Sequence, residues 1–430
     1  MRIWLVTIGE PVPLNKGSNV HLFRTGYLAH FLAERGHQVV WWTSAFDHFR
    51  KEYISNKDSL LAVNDHLEIK LLYGGGYSSN LSPMRILDHR RIAAKFLAMA
   101  PRLPVPDIIL CSFPTIELSL ASVKYSRQHD VPAILDMRDM WPDIFLDAVP
   151  KPLHRVASLL IWHMDANARA ACAGATSITG ITESFVDWGL KKAGRSRNPL
   201  DRAFPMGYIS VPPATEKIAE AEKYWAGKGI DKHGNDFIAC FFGTLGRHLD
   251  LETVLHAAGN IHKMGKTILF VICGIGDRLE YFQKVAKSDP RILFPGWVDA
   301  AQIYVLMRRA QIGLDPLPER YDFLATINNK AIEYMSAGLP VISSPDRGVL
   351  CNLLKEHQCG MSYPHGESDA LTGILSRLYD DRDALRKMSE NSMRVYQKMF
   401  TAEKVYSGMM DYLFEVAEKY KQRRRFGAQA

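Results

Sequence analysis

The sequence lacks several patterns that would narrow its function at once. None of its six cysteines forms a Cys-x-x-Cys pair and several lie inside apolar runs, which favours buried free thiols in a reducing compartment over disulfides or a metal site. No stretch approaches the roughly 20 apolar residues of a membrane span, and no zinc-finger spacing or basic-aromatic RNA motif occurs. The apolar residues 1–8 end at Gly9, so we expect a first strand there and not a signal peptide.

What is present is the composition of a soluble globular protein. Hydrophobic residues make up 47% and charged residues 23% of the 430 residues. A chain of this length exceeds one ordinary hydrophobic core, which predicts two domains. The net charge of +7 fits an anionic ligand or an acidic membrane surface and does not require nucleic acid.

Short apolar runs alternate with helical patterns, and a proline-containing, charged seam at residues 204–235 separates two such series. Short buried strands alternating with helices indicate a parallel sheet covered on both faces. We therefore expect two doubly wound α/β units, followed by a helix with apolar residues at helical spacing from 405 to 420. The predicted strands are residues 2–8, 38–43, 108–112, 133–136 and 177–181, then 236–242, 267–273, 292–294, 311–314 and 340–344.

A glycine-containing loop follows the first predicted strand. Ligands of open α/β sheets bind beyond the carboxyl ends of the strands, so this position is informative. Gly17 and Ser18 precede a helix that Ser18 or Asn19 would cap and that ends at Gly36. Free amides at a helix N-terminus bind anions, and glycine lets a ligand approach the backbone. The alternative is a simple capped turn.

Residues 136–143 follow a later strand and place Arg138 between carboxylates, ahead of Trp141. Arg138 could contact a phosphate or a sugar ring oxygen, and Asp139 could accept a hydrogen bond from a hydroxyl. Trp141 could form a wall of the pocket. Loops at this edge of a sheet carry function disproportionately, which favours a ligand site. The alternative is a structural ion pair over a packed tryptophan.

Two glycine loops follow strands of the second series. In residues 243–247, glycines permit close approach of the backbone and Arg247 can neutralise a diphosphate. The alternative is a tight turn with an exposed arginine. In Gly274-Ile-Gly276-Asp277, leucine at position 279 leaves the dinucleotide pattern incomplete, so the evidence for NAD is weak.

The segment 328–344 reads as a helix followed by a β-branched strand. Lys330 and Glu333 lie one helical turn apart, and Gly338 ends the helix. A cation there can bind a leaving phosphate, and a carboxylate can accept two hydroxyl hydrogens from a ribose. Taken alone, the two residues would be an ordinary surface ion pair, which contributes roughly 0.2–0.5 kcal/mol.

Residues 88–99 mix cations with apolar residues at helical spacing and could rest on an anionic membrane. A solvated amphipathic helix is the favoured interpretation, because such faces are common. A second basic cluster lies at residues 419–425.

In their order along the chain, these motifs resemble glycosyltransferase family 4, whose members have the GT-B fold. The resemblance is closest to bacterial members that build surface polysaccharides, and it covers nearly the whole chain. Residues 32–40 are similar to the end of the family's first helix, and residues 136–142 to its Arg-Asp-Leu-Trp-Pro segment. The matches in the nucleotide-binding half are residues 243–255, 276–277, 294–298 and 328–342.

This chain departs from the family pattern at several positions. Many members carry two glutamates, the second aligned with Glu333, and the first bears on the transferred sugar. Arg247 and Lys330 are predicted to replace the usual diphosphate clamp of an arginine and a lysine. The departures are Ala325 for the first glutamate, Thr244 for the arginine, Leu249 for the lysine and Arg138 for a frequent histidine.

The resemblance implies a retaining, metal-independent glycosyltransferase that moves a sugar from a nucleoside diphosphate sugar to an acceptor hydroxyl. The implied catalytic residues are Arg138, Asp139, Arg247 and Lys330. The implied substrate-binding residues are Gly17, Ser18, Trp141, Gly243, Thr244, Gly276, Asp277, Val298, Asn328, Asn329 and Glu333. No metal and no cofactor beyond the donor is implied.

The resemblance also implies the organisation and setting of the protein. Two Rossmann-like domains would face each other across a deep cleft, at residues 1–210 for the acceptor and 211–398 for the nucleotide sugar. A C-terminal helix, 399–430, would pack back on the N-terminal domain. We expect a cytoplasmic protein in polysaccharide or glycolipid assembly, with a glycan or lipid-linked acceptor and peripheral contact with an anionic inner membrane. The alternatives are a non-catalytic sugar-nucleotide-binding subunit and a sugar-nucleotide epimerase.

Overall fold

The computed structural model describes residues 1–13, 22–79, 82–147, 149–231, 237–287 and 289–427, with the backbone alone at 147, 151 and 424–427. The chain forms two compact units. Unit 1 comprises Met1–Gly207 together with Ala402–Ala430, and unit 2 comprises Tyr208–Thr401.

Unit 1 is built on a largely parallel sheet of eight strands among its described residues. Its strands are β1 (Arg2–Val6), β2 (Gln38–Ser44), β3 (Phe46–Asp47), β4 (Glu52–Tyr53), β5 (Ser59–Asn64), β6 (Leu67–Leu72), β7 (Ile108–Phe113), β8 (Ala133–Met137), β9 (Ser177–Gly180) and β10 (Arg202–Ala203). Its helices before the chain leaves the unit are α1 (Arg24–Glu34), α2 (Pro83–Met99), α3 (Ile116–His129), α4 (Ile144–Asp147), α5 (His154–Gly174) and α6 (Glu183–Ala193).

The strand order in this sheet is β10-β9-β8-β7-β1-β2-β6-β5, and β3 pairs with β4 separately. Every residue of β7 and β8 is buried, as expected for central parallel strands with helices on both faces. The antiparallel pair β5–β6 was not predicted from the sequence. Burial in β5 alternates residue by residue, the pattern of an edge strand with one solvated face.

Unit 2 is built on a fully parallel sheet of six strands in its described part, in the order β13-β12-β11-β14-β15-β16. The strands are β11 (Phe237–Phe242), β12 (Ile268–Cys273), β13 (Ile292–Gly296), β14 (Ile312–Pro316), β15 (Val341–Ser344) and β16 (Gly360–Ser362). The helices are α7 (Thr215–Ala226), α8 (Leu251–Lys263), α9 (Leu279–Val285), α10 (Ala300–Arg309), α11 (Tyr321–Leu324), α12 (Asn329–Ser336), α13 (Val349–His357), α14 (Ser368–Asp380) and α15 (Arg382–Val395).

The last helix, α16 (Ala402–Gly427), returns to unit 1. Its apolar residues at helical spacing, from Val405 to Val416, are buried in the same core as β1 and α1. Tyr406 stacks on Tyr27 of α1 with ring centroids 6.0 Å apart. The predicted return of the C-terminal helix to the N-terminal half is confirmed, and so is the predicted class of two Rossmann-like halves.

The N-terminal end of α1 differs from the sequence-based expectation. Ser18 and Asn19 lie outside the described residues, but the helix begins at Arg24, after Phe23, so neither can be its N-cap. Instead, a carboxylate oxygen of Glu10 accepts hydrogen bonds from the amides of Thr25 at 2.9 Å and Gly26 at 3.3 Å. A side chain from the preceding loop thus satisfies amides that a local cap would otherwise serve.

The cysteines are free thiols, as predicted. Five are buried and Cys351 is half-buried. Burial raises the pKa of Cys111 to about 11, which keeps that thiol neutral. No helix among the described residues is both long enough and apolar enough to cross a bilayer.

Candidate active site

Each sheet has one position where the direction of winding reverses. In unit 1 this position lies between β1 and β7, and in unit 2 between β11 and β14. The loops after the two strands diverge there and leave a crevice at the carboxyl ends, where ligands of α/β sheets bind. Among the predicted site residues that the structure describes, those around Gly243 follow β11 and those around Lys330 come after β14, on either side of the reversal point of unit 2. Gly276 and Asp277 follow β12, and Val298 follows β13. In unit 1, Arg138, Asp139 and Trp141 follow β8, one strand away from the reversal point.

In unit 2, the loops after β11 and β12 are joined by backbone hydrogen bonds. The Leu245 amide donates to the Ile275 carbonyl at 2.9 Å. A Cβ on Gly274 would lie 1.8 Å from the Gly243 carbonyl oxygen, and one on Gly276 would lie 2.3 Å from that of Leu245. Gly274 and Gly276 therefore have a structural cause, because only glycine at these positions lets the two loops pack. A ligand contact by Gly276 stays a prediction.

The predicted cations of the diphosphate clamp lie around these loops. The Arg247 side chain is 77% exposed, with Nε 3.5 Å from Oδ2 of Asp277. Lys330 approaches the other end of the loop, since its Nζ would lie 3.6 Å from a Cβ on Gly243. Thr244, between them in sequence, is exposed. The structure thus places Lys330 beside Gly243 and Arg247 beside Asp277. An anion could reach both cations, because Arg247 is exposed and Lys330 is half-exposed.

A buried carboxylate supports the N-terminus of α12, the helix that carries Lys330. Asn328 caps this helix, accepting from the Ala331 amide at 2.9 Å, and its side-chain amide donates to Oδ2 of Asp315 at 2.6 Å. Asp315 lies in β14 and is fully buried, and its Oδ1 has no hydrogen-bond partner among the described residues. Burial raises the pKa of Asp315, although Lys330 and Asn328 partly offset the rise. The sequence analysis missed Asp315, although a carboxylate near the end of a predicted strand is a usable signal.

Glu333, the predicted ribose contact, is half-buried on the same helix. The Tyr208 hydroxyl donates to its Oε1 at 2.9 Å. Burial raises the pKa of Glu333, and the Tyr208 hydrogen bond and the Lys330 charge act against that rise. Tyr208 lies 125 positions away in the chain, so no local pattern could have revealed it. We call Gly243, Asp315, Lys330 and Glu333 the open cluster.

Four further residues of unit 2 bear on the predicted site, namely His248, Val298, Asn329 and Ala325. Burial lowers the pKa of His248, and the nearby charges of Lys330 and Arg320 lower it further, which favours the neutral ring. The Val298 side chain is buried, so a ligand would contact this residue through its backbone. Asn329 is exposed beside Lys330. Ala325 is buried next to α11, at the position of the family's first glutamate.

In unit 1, the corresponding charges are paired with one another. Nε of Arg24 donates to Oδ2 of Asp136 at 2.9 Å, and Nε of Arg138 donates to the same oxygen at 2.8 Å. Arg138 also forms a salt bridge with Glu10, the residue that serves the N-terminus of α1. We call Glu10, Arg24, Asp136 and Arg138 the paired cluster. Its two positive and two negative charges cancel.

This geometry favours the structural alternative for Arg138 over a direct contact with phosphate. Its side chain is largely buried and is held at both ends by carboxylates. Burial would raise the pKa of Asp136, but the charges and hydrogen bonds of Arg24 and Arg138 outweigh it and lower the pKa well below its usual range. The catalytic role of Arg138 stays a prediction, and its pairing with two carboxylates favours a positioning role.

Asp139 and Trp141 follow Arg138 of the paired cluster directly in the chain. An Asp139 oxygen accepts from the Met140 amide at 2.8 Å. Trp141 is buried, with the Arg85 guanidinium 4.4 Å from its ring centroid. This agrees with the alternative interpretation of this segment, a structural ion pair over a packed tryptophan. Gly17 and Ser18 lie outside the described residues. Among the described residues, no group of three His, Cys, Asp or Glu side chains is placed to hold a metal ion.

Comparison with known proteins bears on this site. Residues 236–381, about a third of the chain, match the family model described as glycosyl transferases group 1. This segment contains the whole open cluster. A comparison with curated proteins found no match.

The whole chain is similar to solved structures. Sucrose-phosphate synthase from Thermosynechococcus elongatus matches with a TM-score of 0.69 at 16% identity, covering 100% of both chains. Anabaena HepE in complex with UDP-glucose matches with a TM-score of 0.64 at 15% identity, over 96% of this chain and 100% of that one. WaaG, a glycosyltransferase involved in lipopolysaccharide biosynthesis, matches with a TM-score of 0.60 at 14% identity, over 94% and 98%.

At these identities the structural likeness establishes the fold, which is that of the GT-B glycosyltransferases. The family match over residues 236–381 supports a glycosyltransferase. Neither comparison assigns the chain to family 4.

Proposed function

We propose that this protein is a retaining glycosyltransferase of family 4 type. It would move a sugar from a nucleoside diphosphate sugar to an acceptor hydroxyl in bacterial polysaccharide or glycolipid assembly. The observation that carries the proposal is the approach of Lys330 to Gly243 at the reversal point of unit 2, inside the segment that matches the family model. A cation beside a glycine backbone at the carboxyl edge of such a sheet is suited to a diphosphate.

The departing diphosphate is the group that this site would stabilise. Lys330 and Arg247 would neutralise its charge, and the free amides at the N-terminus of α12 would donate to its oxygens. These groups would do the work of a metal ion, so the proposal needs neither metal nor cofactor. Asp315 would act by holding Asn328, and through it the first turn of α12, in place.

The nucleoside would be held on the other side of Lys330. A Glu333 oxygen can accept hydrogen bonds from ribose hydroxyls, and Tyr208 orients this carboxylate. Burial desolvates the Glu333 carboxylate and so raises its pKa, and two hydroxyl donors would relieve that cost. Asn329, Thr244, Asp277 and the Val298 backbone complete the proposed donor site.

The reaction would proceed on one face of the sugar. The bond from the anomeric carbon to the diphosphate oxygen breaks, and the bond to the acceptor oxygen forms on the same side. The acceptor proton passes to the departing phosphate oxygen, so no strong general base is required. Rate enhancement then comes from positioning and charge stabilisation. Asp139 would orient the sugar or acceptor, and the paired cluster would fix the loop that carries it.

A second candidate is a binding protein without transfer activity. Ala325, Thr244 and Leu249 replace charged residues of the family pattern, and Ala325 and Leu249 are buried. The donor would then bind without a carboxylate at the first glutamate position. A third candidate, a sugar-nucleotide epimerase, would use the same donor contacts and no acceptor.

The deciding experiment begins with a thermal-shift screen of nucleoside diphosphate sugars and continues with radiolabelled transfer from the best donor to lipid-linked acceptors. We expect stabilisation by one class of donor and an acceptor-dependent labelled product with retained configuration. Stabilisation confirmed by calorimetry without transfer would favour the binding protein. Isomerised nucleotide sugar in the absence of acceptor would favour the epimerase. The expected setting is the cytoplasm, with an acceptor presented at an anionic inner membrane.

A further inference from the structure

The first half of α5 in unit 1 exposes an unusual number of large apolar side chains. Val156, Leu159, Leu160 and Trp162 are 57%, 71%, 80% and 54% exposed. They lie within seven residues, on several sides of the helix. The second half of the same helix is ordinary, with Ala168, Ala171 and Cys172 buried against the unit. Among the described residues of α5, the large exposed apolar side chains lie in its first half.

The neighbouring start of α2 extends this surface. Met84 and Leu87 are exposed there. Between the two helices lies a pocket of about 320 Å³, whose lining is mostly apolar. The lining residues include Pro83, Ile86, Ile116, Phe145, Leu160 and Met164. Because Leu160 belongs both to the exposed set and to the pocket lining, the pocket opens within the exposed surface. We call the exposed residues of α5 and α2, with this pocket, the apolar face.

The exposed charges on α2 and on the first half of α5 are basic, and one half-buried acid, Glu117, lines the pocket. Residues 152–164 contain no aspartate or glutamate, whereas Arg155 is exposed among the apolar side chains. On α2, Arg90 and Arg91 are exposed one to two turns beyond Met84 and Leu87. The single acid of α2, Asp88, is buried and accepts from the Gly76 amide at 2.8 Å. A basic rim around an apolar centre complements a surface with anionic head groups above hydrocarbon.

We propose that the apolar face docks on an anionic lipid bilayer. The side chains of α5 would enter the boundary between head groups and acyl chains, Trp162 would lie at that boundary, and Arg90 and Arg155 would meet lipid phosphates. A hydrocarbon chain from the bilayer would fill the pocket. The inference deepens the membrane contact of the proposed function by naming its surface, and it does not depend on the donor or on transfer.

This surface differs from the one that the sequence predicted. The sequence analysis weighed residues 88–99 as a membrane contact against the favoured solvated amphipathic helix, and Ile92, Ala93 and Phe96 of that helix are buried in unit 1. Lys95 is engaged with Asp58 at 2.7 Å. The first turns of α2 remain available, and α5 supplies the apolar area. The side chains of the basic tail at 424–427 lie outside the described residues.

The main test is flotation of the full-length protein with vesicles, without donor. We expect binding to vesicles of phosphatidylethanolamine and phosphatidylglycerol, and weaker binding to phosphatidylcholine or at high salt. The double variant Leu159→Ser/Leu160→Ser removes two exposed side chains and should lower the vesicle-bound to free ratio more than about tenfold. The matched control is Leu60→Ser/Met264→Ser, whose positions are exposed elsewhere and should leave binding unchanged.

A second measurement reports the position of α5 directly. Trp162 and Trp297 are the exposed tryptophans of the described residues. In a Trp297→Phe background, vesicles of brominated lipid should quench part of the fluorescence, and the further change Trp162→Phe should abolish that quenching. Quenching that survives this change would overturn the assignment of the surface.

Three outcomes would overturn the proposal. The double variant could bind vesicles as tightly as the parent protein. The parent protein could fail to bind anionic vesicles at low salt. Light scattering could show a dimer that the double variant abolishes, which would make the face an interface between two copies. The thermal shift by donor is measured on the same variants and should not change, so failure here is distinguishable from failure of the proposed function.

Discussion

The two sheets differ in how the charged residues near their reversal points are paired. In unit 1, four charges form the paired cluster, and Asp136 is fully buried between two guanidinium groups. In unit 2, the open cluster leaves Lys330 half-exposed, and one oxygen of the buried Asp315 has no hydrogen-bond partner among the described residues. The pKa of Asp136 is lowered, whereas the pKa values of Asp315 and Glu333 are raised.

This difference separates a structural charge cluster from a ligand site. Carboxylates that already have full partners stabilise the fold and gain nothing from a ligand. Carboxylates that are buried with too few partners cost stability, and a ligand that supplies donors or cations can recover it. The position of the charged residues alone would not have distinguished the two clusters, because both lie at strand ends.

The largest effect should come from Asp136→Asn. Removing the charge leaves two buried guanidinium groups with one carboxylate fewer, which should cost about 3–5 kcal/mol in the free energy of unfolding. Urea denaturation measures it. The control Asp187→Asn breaks a surface pair with Arg197 and should cost less than about 1 kcal/mol. A cost as small as that of the control would remove the distinction between the two clusters.

The same variant tests the pH dependence. Because the folded pKa of Asp136 lies below its unfolded value of about 3.9, its contribution is complete above that pH and is lost as the pH falls through the acid range. The parent protein should therefore lose stability below about pH 4 more steeply than Asp136→Asn. Parallel acid profiles would contradict the pairing.

Lys330→Ala should have the next largest effect, on activity and not on stability. Loss of the cation should lower turnover with the identified donor about 10²-fold, because its charge is needed most as the diphosphate departs. Lys355→Ala, an exposed lysine on α13, is the matched control. An unchanged turnover in Lys330→Ala would disprove the clamp assignment while leaving the fold assignment intact.

Gly274→Ala should disrupt the open cluster through its backbone. The added Cβ would meet the Gly243 carbonyl at 1.8 Å, so the loops must separate, at a cost of about 1–3 kcal/mol in unfolding free energy. Donor affinity measured by calorimetry should fall as well. Gly373→Ala, on an exposed helix position with no atom within 4 Å, should instead stabilise by about 0.4–1 kcal/mol. Equal effects would argue against close packing of the loops.

The smallest effect should come from Asp315→Asn, and its sign should be opposite to that of Asp136→Asn. Because the folded pKa of Asp315 is above its unfolded value, ionisation opposes folding, and stability falls as the pH rises from the unfolded pKa through the folded one. The amide removes this loss and should stabilise the protein at pH 7 within the range of about 0.5–2 kcal/mol typical of single stabilising substitutions. Donor binding should weaken. A variant less stable at pH 7 would show that Asp315 is paired like Asp136.

Local patterns in the sequence were sufficient for most of the architecture. Strand β12 occurs at residues 268–273, within the predicted range 267–273, because a short run of apolar residues is a local property. The β5–β6 hairpin was missed, since the loop between its two strands lacks a strong turn signal. The pairs Glu333–Tyr208 and Arg138–Glu10 span 125 and 128 positions and are determined by tertiary packing alone. For the same reason, the sequence could not tell that Arg138 is paired with two carboxylates, whereas Lys330 forms no salt bridge with the residues that the structure describes.

The return of α16 to unit 1 has a consequence for synthesis on the ribosome. Unit 2 is inserted between two parts of unit 1, and Tyr208 and Thr401 at its two ends form a β-bridge. A chain emerging from its N-terminus therefore completes unit 2 before the helix that carries Val405 and Leu413 has been translated. Domains generally fold as units during synthesis, the N-terminal one first. Here the core of unit 1 lacks the side chains of α16 until that helix has been translated, after all of unit 2.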